Sequence, residues 1–432
     1  MTITFTLTPE QQQLQQFARS FADVHLRTAH AVYTAPHITT TQAAFNSIRP
    51  VVSTAVAAGL VSAQIPSALG GTAGDSPLLD AAILVEEFFV HDSSVPIAIL
   101  SASLGLAPVI MAGTKEQRKE LLAPFLTKSG EPLACLGFSE KGGSANYILN
   151  PALTTAIVSP DGKEFVINGG KLWASNLGGW DYRGADVISL VCRVLPRVNA
   201  PIATGPQNIA IIAITRGDIA ANEESAFTAV DQEDTLGFNA VSGPAVTFMN
   251  LRVPRERLIG SVGQGPELVS KAFTGSAAMV GAMACGIMRA AFEDALAFAK
   301  REACGGTHPV IHHQSVADRL IEMKMRLETA RLLTWKAASA FDASQGQDVE
   351  GCWMAKVYAS EAATEVVQLG MAVLGMESYS LRQRFPRLLR DAACLPIFDG
   401  GNVGVRRREL QNLFEGEAYD PLAFAYGGQS EA

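Results

Sequence analysis

The sequence predicts an α+β fold in which a β-sheet lies between two helical units. Three patterns predict it: helical spacing of apolar residues in 1–130, short β-branched runs between turn residues in 131–260, and long helical patterns in 261–432. A chain of 432 residues is too long for one ordinary core. We therefore expect an N-terminal helical domain, a central β-barrel or sheet domain and a C-terminal four-helix bundle with these bounds.

The N-terminal helices begin with a predicted capping box. Thr8 precedes Pro9, and Gln11 stands three residues after the threonine, which is the spacing of a reciprocal cap at a helix start. Leu14 and Phe17 then fall on one helical face. Three further apolar segments have helical length and are separated by Gly, Pro and Ser residues: 52–63, 78–89 and 115–126.

The central segment changes to the period of strands. Residues 154–158 and 165–167 are strand-like and lie on either side of a turn sequence. The Asp161-Gly162 pair of that turn favours the tight reversal of a hairpin. Three more β-branched runs follow at 187–194, 209–215 and 245–251. Together these strands predict either a sheet or a small barrel.

Helical patterns return after residue 260. The predicted helices cover 266–302, 314–345, 349–374 and 406–414, and their length and apolar periodicity are typical of an antiparallel bundle. Residues 272–288 carry no charge, but their many small side chains make them too weakly hydrophobic for a membrane span. We therefore expect a core helix there and no association with a membrane.

Charge and cysteine usage exclude several classes of function. The formal net charge is −8 and the basic residues are scattered, so nucleic acid is not an expected partner. The six cysteines form no Cys-x-x-Cys pair and have no histidine at metal-ligand spacing, so we expect no metal site and interpret them as buried thiols of a reducing compartment. The N-terminus lacks both regions of a secretory signal, which predicts a cytoplasmic protein.

Asp399 is the candidate general base. It lies between an apolar run and the pair Gly400-Gly401, where backbone can approach a ligand closely and apolar surroundings disfavour a charged carboxylate. Arg406 follows seven residues later, so its guanidinium can turn back to the carboxylate if a helix begins near Asn402. From spacing alone a structural interpretation stays open, in which Asp399 caps the following helix and Arg406 forms an ion pair.

Two other segments carry groups that suit a cofactor. Residues 134–146 contain glycines, amides and hydroxyls that can donate to a ring edge or a pyrophosphate. Residues 170–176 end a predicted strand, where Trp173 can cover a planar ring and Ser175 can donate to a ring nitrogen. Taken separately, each segment is better explained by structure alone, as a connecting loop and a core tryptophan.

The joint order and spacing of these segments resembles the acyl-CoA dehydrogenase superfamily over nearly the whole chain. Residues 173–176 resemble its Trp-x-Ser/Thr flavin motif, and residues 397–401 resemble its Ile-Tyr-Glu-Gly-Thr catalytic segment, with Arg406 matching an arginine that follows. The resemblance implies FAD as the cofactor and a homotetramer. It places these residues at the FAD: Leu136, Gly137, Phe138, Ser139, Ser144, Trp173, Ala174, Ser175, His313, Gln314, Ala372, Val373, Leu374, Gly375, Met376, Gly400 and Gly401.

Within the superfamily, the sequence resembles the nitroalkane oxidases. Asp399 stands where an acyl-CoA dehydrogenase of the common type carries glutamate, and the runs 173–182 and 398–408 are similar to that branch. The resemblance implies FAD-dependent oxidation of a small neutral nitroalkane by O2 to an aldehyde or ketone, with release of nitrite and hydrogen peroxide. Asp399 is then the base, Arg406 orients it and favours its ionised form, and Ser276 supplies a hydroxyl to the flavin or the carboxylate.

One position departs from the superfamily pattern. Cys304 stands where a cofactor-contacting arginine is usual, and Arg301, one turn earlier, is a candidate substitute. Two alternatives also stay open on the sequence. The chain can be a flavoenzyme of the acyl-CoA dehydrogenase type that oxidises an acyl-CoA or another carbon acid, or a catalytically silent member retained for assembly or binding.

Overall fold

The structure, a computed structural model, describes residues 6–149, 154–196 and 204–426. Within these ranges the chain forms helices, then a sheet, then helices again, so the predicted α+β fold class is confirmed. The division into three domains at residues 130 and 260 stays a prediction. The helices of the first part are α1 (Pro9–His25), α2 (Ala29–Tyr33), α3 (Thr41–Ser47), α4 (Arg49–Ala57), α5 (Pro77–Phe89), α6 (Val95–Ala112) and α7 (Lys115–Leu122).

The first helix begins as predicted. The Thr8 hydroxyl accepts from the backbone N–H of Gln11, and the Gln11 amide oxygen accepts from the backbone N–H of Thr8, so the capping box is confirmed. Helix α6 was not predicted. Apolar residues cover nearly its whole circumference and Pro108 lies inside it, so the sequence shows neither an amphipathic stripe nor uninterrupted helix formers.

The central part is a mixed sheet of eight strands. Their order is β6-β7-β3-β2-β4-β5-β8, and β1 pairs with β4 beside β2. β1 and β2 run parallel to β4, and the other pairs are antiparallel. The strands are β1 (Ala134–Gly137), β2 (Thr155–Val158), β3 (Glu164–Lys171), β4 (Val187–Leu195), β5 (Ile209–Thr215), β6 (Phe227–Val230), β7 (Ala245–Pro254) and β8 (Leu258–Ile259), with helix α8 (Arg216–Ala220) between β5 and β6.

The structure confirms the predicted hairpin but not the predicted alternative of a closed barrel. The Asp161-Gly162 turn joins β2 to β3 in an antiparallel hairpin with Val158 opposite Phe165, as predicted. In the described residues β6 and β8 lie at opposite ends of the strand order and do not pair with each other. The sheet is therefore open, and the closed small barrel that the sequence left as an alternative is wrong.

The third part is helical, and its four longest helices pack on one another. α12 was not predicted, because it is short and joined to α11 by a turn-rich segment. The helices are α9 (Gly265–Arg301), α10 (Gln314–Ala343), α11 (Glu350–Leu374), α12 (Phe385–Cys394), α13 (Arg407–Phe414) and α14 (Ala423–Tyr426), and a π-helical turn (Asn402–Arg406) leads into α13.

Helix α9 lies at the centre of the fold and contacts α5, α10 and α11. A Cβ on Gly286 of α9 would lie 2.7 Å from the backbone oxygen of Glu86, so α5 can approach this closely only because the residue is glycine. Arg289, one turn further along α9, forms buried ion pairs with Glu86 at 3.2 Å and with Glu87 at 2.5 Å. These ion pairs connect α5, in the first part of the chain, to α9, in the third part.

Two helices, α6 and α9, are long and apolar enough to cross a membrane by length and composition alone. Half of the α6 window and 72% of the α9 window are buried in the structure. Their apolar composition is therefore explained by packing inside the protein, as the small residues of 272–288 predict for α9.

The cysteines differ from the prediction at two positions. All six are free thiols, and four of them are buried. Cys304 is exposed and Cys394 is partly exposed, so the prediction of six buried thiols is wrong for these two. Cys304 lies in the loop after α9, and Cys394 is the last residue of α12, where packing around the chain is incomplete.

Candidate active site

Asp399 lies in a tight turn between α12 and the π-helical turn, which we call the Asp399 turn (residues 395–402). Asp399 itself has a φ of +54° and Gly400 a φ of +70°. A Cβ on Gly400 would meet the Arg406 guanidinium at 3.0 Å and would be strained by the left-handed backbone. The glycine therefore allows the arginine to lie directly against the turn that carries the candidate base.

The two carboxylate oxygens of Asp399 have different surroundings. Oδ1 accepts a hydrogen bond of 2.7 Å from the Ser276 hydroxyl of α9. Oδ2 is buried, has no hydrogen-bond partner among the described residues, and lies 3.7 Å from Nη2 of Arg406. The side chain as a whole is 9% exposed. One oxygen is thus held in place, while the lone pairs of the other are not used by a hydrogen bond to any described residue.

Arg406 is completely buried and joins three segments. Its Nη2 donates to the backbone oxygens of Phe273 at 2.9 Å and of Asp399 at 3.0 Å, and its Nη1 pairs with Glu409 at 2.8 Å. The alternative in which the Asp399 side chain caps the next helix does not occur, since that helical turn has no side-chain cap and the carboxylate bonds to Ser276 instead. The arginine does turn back to the carboxylate.

The predicted cofactor residues on the sheet side are held next to one another. We call residues 138–149 the cofactor loop. The backbone N–H of Leu172, just before Trp173, donates to the Ser139 oxygen at 3.1 Å, and the Ser144 hydroxyl accepts from the N–H of Glu140 at 3.0 Å. The two segments that the sequence connects with a flavin are therefore neighbours in the structure.

A buried ion pair fixes this junction. Lys171, at the end of β3, is 3% exposed, and its Nζ donates to the Phe138 oxygen at 3.1 Å and to Glu140 Oε1 at 2.6 Å. Burial lowers the pKa of the Lys171 ammonium, and the Glu140 carboxylate opposes that shift. Sequence analysis missed this pair, because an acidic residue and a lysine 31 positions apart give no local signal.

The groups around Trp173 fit a planar cofactor. Trp173 has a φ of +60° and is 52% exposed, which is unusual for so large an apolar side chain. The Ser175 hydroxyl, two residues after Trp173, makes no hydrogen bond to any described residue, so it is a free donor. Asn176 is buried and donates to the Ser101 hydroxyl of α6 at 2.8 Å, which attaches the segment to that helix. An exposed ring and a free hydroxyl suit the edge of an isoalloxazine.

Aromatic packing connects the cofactor loop to the helix that bears Ser276. The Phe138 ring lies 5.2 Å from the Phe273 ring of α9 and 4.9 Å from the Tyr147 ring, both edge-on. Arg408, just after the π-helical turn, donates to the backbone oxygen of Ala145. The cofactor loop is therefore attached both to α9 and to the segment that follows Asp399, and its aromatic rings provide an apolar wall near Ser276.

Other predicted cofactor residues lie apart from this cluster in the single chain. His313 and Gln314 are exposed at the start of α10, and the Gln314 amide donates to Asp318 of the same helix at 2.7 Å. Of the segment 372–376, Val373 and Leu374 are buried, and the other three residues are exposed. Arg301 is 72% exposed and pairs with Glu302, and no described contact brings it to the Asp399 turn. Contact of these residues with a cofactor stays a prediction.

Family models match most of the chain. The model "Acyl-CoA dehydrogenase, N-terminal domain" matches residues 8–129, and "Acyl-CoA dehydrogenase, C-terminal domain" matches residues 263–411. These ranges contain α1 to α7 and α9 to α12, and they include the Asp399 turn.

Full-length relatives are similar to the chain from end to end. The nitroalkane oxidase of Fusarium oxysporum is 40% identical over 434 residues, which is 98% of each chain. The nitroalkane oxidase of Podospora anserina is 42% identical over 436 residues, which is 99% of each. A solved structure of a nitroalkane oxidase active-site mutant crystallised with 1-nitrooctane has a TM-score of 0.92 at 39% identity, covering 99% of this chain and all of the other.

The Lys171–Glu140 pair gives a test of the sheet side of the site. Lys171→Met should lower the free energy of unfolding by about 3–5 kcal/mol, because it removes one partner of a buried ion pair. It should also lower the amount of FAD retained per chain, measured by flavin absorbance after gel filtration. The double variant Glu140→Gln/Lys171→Met removes both charges and should recover part of the stability. A double variant as unstable as the single one would contradict an electrostatic role for the pair.

Proposed function

Because this chain belongs to the acyl-CoA dehydrogenase superfamily, and within it to the nitroalkane oxidase family, we propose that it oxidises small neutral nitroalkanes to aldehydes or ketones, with release of nitrite and hydrogen peroxide. The protein is a flavin-dependent oxidoreductase, and its cofactor is FAD. One observation carries the proposal most directly: a buried aspartate has one oxygen held by Ser276 and the other oxygen free.

The free oxygen of Asp399 accepts the proton from the carbon that bears the nitro group. That proton is acidic because the resulting nitronate spreads its charge onto the nitro oxygens, so a carboxylate is a sufficient base. Ser276 holds the other oxygen at 2.7 Å and so orients the carboxylate towards the substrate carbon. The proton acceptor is therefore fixed before the substrate binds.

Arg406 holds the turn that carries the base. Its guanidinium lies 3.7 Å from Oδ2, so it places a positive charge beside the carboxylate without occupying that oxygen by a hydrogen bond. The nearby rings of Phe138 and Phe273 exclude water and suit an uncharged substrate with a short apolar chain. FAD, when bound beside the cofactor loop and Trp173, would supply the two-electron redox chemistry that links the substrate to O2.

The overall reaction balances with O2 and water as co-reactants. A primary nitroalkane, O2 and water give an aldehyde, nitrous acid and hydrogen peroxide. Water supplies the carbonyl oxygen, and the two electrons removed from the substrate reduce O2. No thioester or carrier protein takes part, which distinguishes this chemistry from that of an acyl-CoA dehydrogenase.

A homotetramer is part of the proposal. The end of α11 and the segment after it expose large apolar side chains, among them Met376 at 82%, Tyr379 at 82% and Leu381 at 80%. The predicted cofactor residues His313 and Gln314 are also exposed in the single chain. Contact with further copies of the chain would cover these groups. Four free, buried thiols support the cytoplasmic location that the sequence predicts.

Anaerobic mixing with nitroethane tests the reaction. We expect nitroethane to bleach the flavin absorbance, and admission of air to restore it with formation of nitrite and hydrogen peroxide. Butyryl-CoA is the comparison and should leave the flavin oxidised. Bleaching by butyryl-CoA alone would assign the protein to the dehydrogenases, and bleaching by neither would reject nitroalkanes in favour of another carbon acid.

Asp399→Asn tests the base, since it keeps the shape of the side chain and removes its charge. We expect FAD to stay bound and kcat/KM for nitroethane to fall about 10²–10⁴-fold. Ethyl nitronate, the conjugate base prepared in alkali, is already deprotonated and should still be oxidised. Near wild-type turnover of nitroethane would refute the role, and an equal loss with both substrates would indicate damage to the site instead.

Assembly is tested by sedimentation equilibrium of the FAD-bound protein. We expect the mass of four 45.8-kDa chains. Leu381→Glu places a charge in the exposed apolar segment and should lower both the mass and the FAD content, because a buried carboxylate without a partner is costly. A wild-type protein that sediments as a single chain with its FAD bound would rule out the tetramer.

A further inference from the structure

A completely buried lysine lies beneath the Asp399 turn. Lys356, on α11, has no exposed surface, and its Nζ donates to Asn402 Oδ1 at 2.9 Å and lies 3.5 Å from the backbone oxygen of Leu395. Burial lowers the pKa of this ammonium to about 8. A buried ammonium is costly, so its position beside the candidate base calls for a physical reason.

Lys356 contacts both ends of the turn that carries Asp399. Leu395 is the first residue of the Asp399 turn and Asn402 is the last, and one ammonium reaches an oxygen of each. The turn is closed further by the N–H of Asn402, which donates to the Pro396 oxygen at 2.9 Å. Between these ends, Asp399 has a left-handed backbone, which few non-glycine residues adopt.

The other partners of Asn402 hold the same junction. The Asn402 amide nitrogen donates to the Ser360 hydroxyl at 3.0 Å and to Glu361 Oε1 at 3.1 Å, both on α11. Asn402 is 1% exposed, so its amide has a fixed orientation with the oxygen towards Lys356. One face of α11 therefore supports the Asp399 turn through a connected polar network.

Charge also couples Lys356 to the base. Among the charged groups around Lys356, the Asp399 carboxylate acts most strongly to raise the pKa of the lysine, and Glu361 and Glu409 act in the same direction. Arg406 acts in the opposite direction, since it is a second cation nearby. The Lys356 ammonium and the Asp399 carboxylate therefore attract each other.

We propose that Lys356 is a positioning residue for the base: its ammonium ties the two ends of the Asp399 turn together, and its charge helps to keep the Asp399 carboxylate ionised. This inference rests on the proposed function, in which Asp399 removes the substrate proton. A lysine that only fastened the turn to α11 would affect stability and rate but would not change the pH at which the base becomes active.

The test measures kcat/KM for nitroethane against pH in four proteins: wild type, Lys356→Met, Lys356→Gln and Lys356→Arg. We expect both neutral variants to move the acid limb upward by about one pH unit, because each removes a positive charge close to the carboxylate. Lys356→Gln keeps a donor for Asn402 and so separates the charge from the hydrogen bond. Lys356→Arg keeps the charge and should leave the acid limb near its wild-type position.

Two controls separate this effect from general damage. Arg407→Met also removes a cation that pairs with Glu361, at 2.8 Å, but Arg407 is 54% exposed and screened by water, so its acid limb should not move. Ethyl nitronate needs no base, so its oxidation by the two neutral variants should stay within a few-fold of wild type. An unmoved acid limb in both neutral variants, or an equal loss with nitronate and nitroethane, would overturn the proposal.

A measurement without turnover keeps this inference separate from the proposed function. Infrared titration of the protonated carboxyl band, with Asp399→Asn as the blank, follows the protonation of Asp399 in the resting FAD-bound protein. We expect its midpoint to rise by about one pH unit in Lys356→Gln. An unchanged midpoint would reject the charge effect. A wild-type protein that fails to oxidise nitroethane would reject the nitroalkane substrate, while the infrared midpoint would still decide the role of Lys356.

Discussion

The candidate site depends on the buried guanidinium of Arg406. It donates to backbone oxygens of Phe273 in α9 and of Asp399, and it pairs with Glu409 in α13. A buried cation without partners is strongly unfavourable, so these three segments are more stable together around the guanidinium than apart. The position of Asp399 relative to α9 follows from that requirement. Ser276 lies one turn beyond Phe273 on α9, and the same constraint therefore brings its hydroxyl to the carboxylate.

The short side chain of aspartate increases the importance of the backbone at this site. A glutamate has one more rotatable bond with which to reach a substrate, whereas the reach of an aspartate is set mainly by where its Cα lies. The left-handed conformations of Asp399 and Gly400 set that position, and Arg406 packs against Gly400 where a Cβ would interfere. A change from glutamate to aspartate at the base thus needs a turn of defined geometry, and the contacts of this turn supply it.

Local sequence predicted the elements of the fold better than their arrangement. The capping box at Thr8 and the hairpin at Asp161-Gly162 were found because a few adjacent residues determine each of them. α6 was missed since an all-apolar helix has no periodic stripe, and the openness of the sheet depends on edges that no single strand reveals.

In the site as well, contacts between residues close in the sequence were easier to predict than contacts between distant residues. Asp399 and Arg406 are seven residues apart and could be paired from their spacing, and family resemblance added Ser276, which is 123 positions from its partner. The Lys171–Glu140 pair was not predicted from either source. Lys356 did leave a signal, as the only basic residue of α11, but its position in the sequence carries no information about which turn it supports.

The surroundings of Asp399 differ between the α11 and α13 side and the aromatic rings of the cofactor loop, and this difference bears on the kind of substrate. Two buried cations, Lys356 and Arg406, lie among the carboxylates of Asp399, Glu361 and Glu409 on the side of α11 and α13. On the side of the cofactor loop the neighbours are the aromatic rings of Phe138, Phe273 and Tyr147. A neutral molecule can enter the aromatic side without losing the hydration of a charge, and it acquires charge only when Asp399 takes its proton. The charged groups behind the carboxylate are already in place before the substrate binds. The free-energy cost of arranging them is therefore met during folding and not during catalysis.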